Sequence, residues 1–138
     1  MNKVYVLDAN ALIALLGNED GANKIADIYK EANSGNVEIV MNAVNLLEVY
    51  YDFYRVYGNE TADEMISYVE ASNIKIITEI DKTLLAEAGR LKASYKISLA
   101  DSLAAAQAKV MNGILITSDH HELEMIEASE PIKFWWFR

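Results

Sequence analysis

Short, continuous apolar runs separated by helical segments constrain the fold of this chain more than any other feature. Two of them, Val4-Tyr5-Val6-Leu7 and Ile114-Leu115-Ile116-Thr117, do not alternate with polar residues, which is typical of strands buried on both faces. The sequence predicts five strands, over residues 4–7, 37–41, 74–77, 114–117 and 132–137. Because helices separate them, we expect an α/β fold with a mainly parallel sheet and helices on both faces.

Capping residues and helical periodicity define the segments between the strands. Asn10 is the expected N-cap of a helix over residues 11–16, and Ser98 is the expected start of a helix that runs to Met111. The other predicted helices cover residues 22–32, 43–57, 61–71, 81–91 and 120–128. No internal repeat or linker interrupts the 138 residues, so we expect one domain over 1–138.

Composition excludes several functional classes. The sequence has no Cys, which rules out disulfides, thiolate zinc sites and cysteine nucleophiles. No apolar run approaches the roughly 20 residues of a membrane span, and no basic segment precedes residues 11–16, so we expect no anchor, no signal peptide and a cytoplasmic location. A net charge of −9 argues against holding nucleic acid by bulk electrostatics alone.

Carboxylates follow two of the predicted strands. Asp8 comes directly after the first strand, and Asp119 comes two residues after the fourth. Ligands of parallel sheets collect beyond the carboxyl ends of the strands, so both residues are candidate site residues. Taken singly, each is explained by capping of the next helix, and Asp119 with Glu122 forms a capping-box-like pair.

Two further carboxylates lie on predicted helices. Glu48 shares a polar stripe with Asn45 and Asp52, which favours a solvated face, but the stripe begins directly after the second strand and overhangs the same rim. Asp101 has apolar neighbours on both sides, where an isolated carboxylate is costly. A capping box with Ser98 would satisfy it locally and is the alternative explanation.

Considered together, the four carboxylates indicate a metal site. Two like charges about 4 Å apart repel by about 4 kcal/mol at an effective dielectric of about 20, so a cluster of four requires protonation or a cation. Oxygen ligands without Cys or a paired His site favour Mg²⁺ or Mn²⁺ over Zn²⁺. Such ions activate water and stabilise the departing oxygen in phosphodiester hydrolysis, so the pattern favours a metal-dependent nuclease.

Five motifs carry a family resemblance across essentially the whole chain. They are Val6-Leu7-Asp8-Ala9-Asn10-Ala11-Leu12, Asn45-Leu46-Leu47-Glu48-Val49, Leu99-Ala100-Asp101-Ser102-Leu103-Ala104-Ala105-Ala106, Ile116-Thr117-Ser118-Asp119-His120-His121-Glu122-Leu123 and the ending Lys133-Phe134-Trp135-Trp136-Phe137-Arg138. Their order and spacing resemble the PIN-domain superfamily, especially the VapC-like ribonuclease toxins of prokaryotic toxin–antitoxin pairs.

The resemblance implies a three-layer α/β/α sandwich around a mainly parallel sheet of about five strands. It also implies an Mg²⁺ or Mn²⁺ site formed by Asp8, Glu48, Asp101 and Asp119, assisted by Asn10 and Thr117. Two departures qualify this transfer. Asn10 stands where Ser or Thr is common, and His120-His121 follow Asp119 where some relatives carry another acid, which leaves a second metal ion open.

The implied activity is hydrolysis of phosphodiester bonds in RNA by the toxin of a toxin–antitoxin module. Candidate RNA-binding residues are Arg90, Lys92, Lys96 and His121, for which solvated surface positions are the alternative. The wide aromatic arc of the helix over 43–57 predicts a homodimer and, by resemblance, an antitoxin that blocks the acidic rim. Burial of the whole arc against the sheet is the other explanation.

Other functions remain open on the sequence alone. A PIN nuclease of RNA processing or DNA repair would use the same site, although the chain is short for appended recognition domains. A catalytically inactive PIN scaffold that acts through protein partners would not need all four acids. A receiver-type signalling domain also uses a strand-end Asp and Mg²⁺, but no convincing Lys-bearing strand end accompanies Asp8.

Overall fold

A computed structural model describes residues 2–138 as a central sheet flanked by helices. The strands are β1 (Lys3–Leu7), β2 (Val37–Asn42), β3 (Ile74–Ile77), β4 (Ile114–Thr117) and β5 (Lys133–Trp136). The helices are α1 (Ala9–Gly17), α2 (Ala22–Asn33), α3 (Ala43–Tyr57), α4 (Asn59–Ala71), α5 (Lys82–Ser94), α6 (Leu99–Val110) and α7 (His120–Ser129). Within residues 2–138, no helix has both the length and the apolar character needed to cross a membrane.

The sheet has the strand order β3-β2-β1-β4-β5, and every neighbouring pair is parallel. At the end of the central strand β1, Leu7 lies beside Met41 of β2 and Ile116 of β4. Chain order therefore reverses at β1, and the carboxyl ends of these three strands form one edge. Such an edge is where α/β sheets bind their ligands. The predicted α/β fold with a parallel sheet is confirmed.

Two apolar layers cover the two faces of the sheet. Successive side chains of a strand point to opposite faces, so Val6 belongs to one layer and Leu7 to the other. The Leu7 layer packs α1 to α4 on the sheet, and the Val6 layer packs α5 to α7. Both residues are fully buried, as strands covered on both faces require. The result is the three-layer sandwich that the resemblance implied.

The first helix begins earlier than predicted. Asp8, not Asn10, is the N-cap of α1, and its carboxylate accepts a hydrogen bond of 2.8 Å from the main-chain N–H of Ala11. Both Asp and Asn are favourable N-caps, and the strand ends one residue before Asp8, which leaves no room for a turn before the helix. Asn10 therefore lies in the first turn of α1 and not at its cap.

Helix α6 is the most deeply buried helix in the apolar layer that contains Val6. Every residue from 100 to 108 is buried, and five of these are alanines, which allow close approach of the sheet and of α5. Asp101, on the first turn, is only 9% exposed. Close helix packing thus places a carboxylate in the interior beside the carboxyl edge of the sheet.

The turn before α2 packs tightly on the end of β5. Gly21 has a φ of +87°, and a Cβ added there would overlap the main-chain carbonyl and ring of Phe137, whose side chain is 1% exposed. Gly35 has a similar φ of +80°, but a Cβ there would meet no atom within 4 Å. A comparison of Ala substitutions at the two glycines therefore separates the energetic cost of a left-handed backbone from that of a steric overlap.

We expect Gly21→Ala to lower the free energy of unfolding by about 2–5 kcal/mol, from about 1–2 kcal/mol of backbone strain and about 1–3 kcal/mol of overpacking. Gly35→Ala should cost only the backbone part. Urea denaturation of the two variants measures the difference. Equal losses in the two variants would show that the contact with Phe137 adds nothing.

Candidate metal centre

The four carboxylates selected from the sequence line one pocket at the carboxyl edge of the sheet. Its volume is about 340 Å³, and its lining residues are Asp8, Ala9, Asn10, Glu48, Ser98, Asp101, Asp119, His121 and Glu122. The four carboxylates come from the end of β1, from α3, from α6 and from the connection between β4 and α7. The structure thus brings together residues that are far apart in the sequence, and it adds a fifth carboxylate, Glu122.

Asp8 lies at the base of this pocket and is 2% exposed. Burial raises its pKa to about 6, and the charges of Asp119 and Glu48 add to the rise. Hydrogen bonds from the Thr117 side chain and from the N–H of Ala11 act in the opposite direction. Capping of α1 is therefore real, but it does not remove the carboxylate from the pocket, so the two interpretations of Asp8 are compatible.

Glu48 lies on the second turn of α3 at the exposed side of the pocket. Partial burial raises its pKa, followed by the charge of Glu122. One turn earlier, Asn45 is fully buried, and its side-chain amide donates to the carbonyl oxygen of Ala100 at 3.4 Å. Along the polar stripe of α3, Asn45 is thus buried, and the solvated part begins after Glu48, where Asp52 forms an exposed ion pair.

Asp101, Asp119 and Glu122 form the tightest part of the cluster. One carboxylate oxygen from each lies within 4.8 Å of the others. The N–H of Asp101 donates to the Ser98 hydroxyl oxygen at 3.1 Å, but the N–H and hydroxyl of Ser98 are hydrogen-bonded to Glu122. Capping by Ser98 therefore accounts for the main-chain N–H of Asp101 but not for the position of its carboxylate beside Asp119 and Glu122, so the two interpretations of Asp101 are compatible.

The pKa values of Asp101 and Glu122 shift in opposite directions. Burial raises the pKa of Asp101, and its hydrogen bond and charge interaction with Glu122 raise it further. The pKa of Glu122 is lowered, first by the hydrogen bond with Asp101 and then by those with Ser98. The opposite directions have one cause, because a hydrogen bond between two carboxyl groups favours the protonated form of one and the ionised form of the other.

Thr117 connects the two strand-end acids. Its side chain hydrogen-bonds Asp8, and its hydroxyl oxygen accepts the N–H of Asp119 at 3.0 Å. Thr117 is fully buried at the end of β4, so both contacts are fixed by the sheet. The carboxylate of Asp119 accepts the N–H of Glu122 at 3.3 Å and caps α7.

Sequence reasoning assigned Glu122 only a capping role. In a reciprocal capping box, the Glu122 carboxylate would accept the N–H of Asp119, but Thr117 occupies that N–H. The carboxylate of Glu122 turns instead to Ser98 at the start of α6. The sequence did contain a signal that Glu122 belongs to the pocket: it lies one turn after Asp119, on the same side of a helix that begins at the carboxyl edge of the sheet.

The basic residues selected from the sequence lie in different places. His121 lines the acidic pocket, and Lys96 lies in a groove beside it. Lys92 is exposed on α5 and lines neither of these cavities. Arg90 is held by ion pairs with Glu87 and Glu130, which neutralise its charge outside the pocket.

His120 is not among the residues that line the acidic pocket, and its Nδ1 lies 3.1 Å from the carboxylate of Glu124. Its ring stacks on Trp136 at a centroid distance of 4.1 Å, and its Nε2 is hydrogen-bonded to the carbonyl oxygen of Arg138 at 2.8 Å. His120 therefore joins the start of α7 to the end of the β5 segment, while the neighbouring His121 faces the pocket.

The donor set fits a hard divalent cation. Five carboxylates face the pocket, and His121 is the one basic residue among those that line it. Asp101, Asp119 and Glu122 can supply oxygen ligands at close range, and Asp8 and Glu48 line the same pocket. Oxygen donors without thiolates suit Mg²⁺ or Mn²⁺, and a cation would relieve repulsion that protons now reduce.

Comparison with solved structures finds other proteins that have the same fold. A chain of the VapBC2 complex of Rickettsia felis, bound to a promoter DNA fragment, superposes with a TM-score of 0.74 at 17% identity, covering 96% of this chain and 98% of that one. A chain of DNA-bound VapBC from Salmonella typhimurium gives 0.72 at 13% identity, with 100% of both chains covered. At these identities, the similarity establishes the fold alone.

A third similar structure is VapC20 of Mycobacterium tuberculosis, described as a sarcin-ricin loop cleaving toxin. It gives a TM-score of 0.64 at 12% identity, covering 91% of this chain and 95% of that one. A sequence search of curated proteins finds no significant match. The sequence profile of the PIN domain, however, matches residues 5–127, which include all five pocket carboxylates. The chain therefore belongs to the PIN-domain family.

Proposed function

We propose that this protein is an Mg²⁺- or Mn²⁺-dependent endoribonuclease, the toxin of a toxin–antitoxin module acting in the cytoplasm. The observation that carries the proposal is the convergence of the pocket carboxylates Asp8, Glu48, Asp101, Asp119 and Glu122. Membership of the PIN family supports a nuclease. The description of VapC20 as a toxin that cleaves the sarcin-ricin loop supports RNA as the substrate.

The residues of the pocket divide into ligands and residues that orient them. Asp101, Asp119 and Glu122 would hold the ion, and Asp8 and Glu48 would complete its surroundings or hold a second one. When bound, the ion supplies Lewis-acid activation of water and stabilisation of the departing oxygen. Because a ligand carboxylate must be ionised and the pKa of Asp101 is raised, Asp101 would have to lose its proton to act as a ligand.

The supporting residues fix the charged carboxylates before substrate arrives. Thr117 holds Asp8 and Asp119 at the end of β4, and Ser98 holds Glu122 at the start of α6. Asn10 lies at the pocket wall on the first turn of α1, where its amide could donate to a phosphate oxygen. Such preorganisation places the charge of the site where a phosphodiester must react.

An exposed apolar face of α3 supports the two predicted protein partners. Four of its large apolar side chains are 52–64% exposed, namely Leu47, Tyr51, Tyr54 and Tyr57. The alternative, in which the sheet buries the whole arc, is therefore wrong for the isolated chain. Surfaces rich in Tyr and poor in charge are typical of interface cores.

The antitoxin is expected to occupy the part of this face nearest the pocket. A groove of about 490 Å³ lies between α3 and α6, with Leu47, Tyr51 and Leu99 among its lining residues. It shares Glu48 and Ser98 with the acidic pocket. A segment bound there would lie directly beside the metal ligands. The solved VapBC complexes that resemble this chain support a partner of this kind.

The metal proposal predicts both cleavage and stabilisation. Mg²⁺ or Mn²⁺ at about 100 times its Kd should stabilise the fold by about 2.7 kcal/mol and permit RNA cleavage. Glu122→Gln should lower cleavage at least 100-fold and reduce the shift in melting temperature, because one oxygen ligand loses its charge. Glu124→Gln, an exposed neighbour on α7, is the matched control. An unchanged melting temperature at saturating ion would favour the inactive scaffold.

The pH dependence of the metal-free protein is a second consequence. Asp8 has a pKa of about 6 in the folded state against an ordinary 3.8, so it stabilises the fold at low pH and loses this contribution as the pH rises through about 6. The loss is at most about 3 kcal/mol. We expect metal-free Asp8→Asn, which keeps a capping side chain, to be the more stable protein at pH 7 but not at pH 4.

Denaturation in chelator at pH 4 to 8 measures this difference. Asp81→Asn is the matched control, since Asp81 also caps a helix but is exposed to solvent. A loss of stability in Asp8→Asn at every pH would mean that capping outweighs the cost of the buried charge.

The predicted homodimer can be tested by a substitution at the end of the exposed α3 face that is farthest from the pocket. We expect Tyr54→Lys to convert a dimer to a monomer, because it introduces a charge into a surface that the second copy covers. Light scattering after gel filtration measures the mass. Leu85→Lys, on α5 and 62% exposed, is the control and should leave the mass unchanged. A monomeric unmodified chain would contradict the dimer.

A further inference from the structure

A second groove continues from the acidic pocket on the side opposite to α3. Its volume is about 190 Å³, and it is lined by Tyr95, Lys96, Ile97, His121, Glu122 and Met125. His121 and Glu122 also line the acidic pocket, so the two cavities share a wall formed by α7. The connection between α5 and α6 forms the other wall of this groove, which we call the Tyr95 groove.

Charge distinguishes the Tyr95 groove from the groove beside α3. Lys96 and His121 are the basic residues that line it, whereas the lining of the α3 groove, within residues 2–138, contains no basic residue. Lys96 is exposed and makes no ion pair with any residue that the structure describes. Arg90 differs, because two glutamates hold its guanidinium. An anionic ligand beside the pocket would thus meet the ammonium group of Lys96 on one side only.

The remaining walls of the Tyr95 groove suit a flat apolar group. The hydroxyl of Tyr95 donates to Glu130 at 2.6 Å, which fixes the orientation of its ring. Met125 is 66% exposed, and nothing in its packing requires a large apolar side chain there. Aromatic rings and thioethers are adaptable surfaces for planar groups such as nucleobases.

We propose that the Tyr95 groove is a subsite for one nucleotide that flanks the scissile phosphate. Lys96 and His121 contact its phosphate, and Tyr95 and Met125 contact its base. A base reaches the groove only when it is unstacked, so the subsite selects single-stranded or looped RNA. The inference rests on the proposed ribonuclease function and adds a direction to it: recognition of the strand is stronger on one side of the cut than on the other.

The test uses a series of short oligoribonucleotides of one sequence, shortened by one nucleotide at a time from either end. Cleavage by the full chain in Mg²⁺ or Mn²⁺ gives kcat and KM for each. We expect Lys96→Ala to raise KM about fivefold to tenfold for substrates that are long on one side of the cut, with kcat unchanged. For these substrates, the slope of log KM against log salt should fall by about 0.7.

Substrates shortened on that same side should show no difference between Lys96→Ala and the unmodified chain. Met125→Ala should raise KM about twofold to threefold for the same long substrates, because it removes part of the base contact. Lys24→Ala and Leu85→Ala remove an exposed charge and an exposed apolar side chain elsewhere and are the matched controls. Both test residues are exposed, so melting temperatures should not change.

Three outcomes decide the proposal. A rise in KM that depends on the length of one side supports the subsite. A rise that is equal for all substrates, or no rise beyond that of Lys24→Ala, overturns the subsite while the ribonuclease proposal stands. Absence of RNA cleavage by the unmodified chain in either ion overturns the proposed function, and the subsite with it.

Discussion

The free energy of crowding five carboxylates into one pocket is the constraint on which the rest of this structure depends. The metal-free protein reduces it in two ways: a hydrogen bond between Asp101 and Glu122 shifts their pKa values in opposite directions, and burial favours the protonated form of Asp8. Hydrogen bonds from Ser98 and Thr117 stabilise the charges that remain. A divalent cation would neutralise the carboxylates directly and make these partial compensations unnecessary. An acidic pocket of this kind is therefore stronger evidence for a metal site than its residues taken singly.

The fold makes this crowding unavoidable. Because chain order reverses at β1, residues that follow β1 and β4 must lie side by side, and Thr117 hydrogen-bonds both Asp8 and Asp119. The alanine-rich α6 packs closely enough to bring Asp101 to the same edge with 9% exposure. Every carboxylate is therefore placed by the packing of the sandwich and none by a flexible loop, which is the condition for a preorganised site.

The sequence predicted the sheet because continuous apolar strands leave few alternatives, and β3 and β4 have the predicted bounds. It also selected four of the five pocket carboxylates from strand ends and helix stripes. Glu122 was assigned a local role because its contact with Ser98 joins segments that no local rule connects. The pairing of Arg90 with Glu130, and the exposure of Tyr51 on α3, likewise depend on how distant elements pack.

The proposed ribonuclease would have to hold RNA by local charge, because interactions between exposed charges decay over about 8 Å at physiological salt. The net charge of −9 therefore matters less than the placement of Lys96 and His121 beside the pocket. The apolar groove on the other side shares Glu48 and Ser98 with the same pocket. A protein segment bound in that groove would obstruct the cut site by contact alone. Inhibition of this kind would therefore require no conformational change in the sandwich.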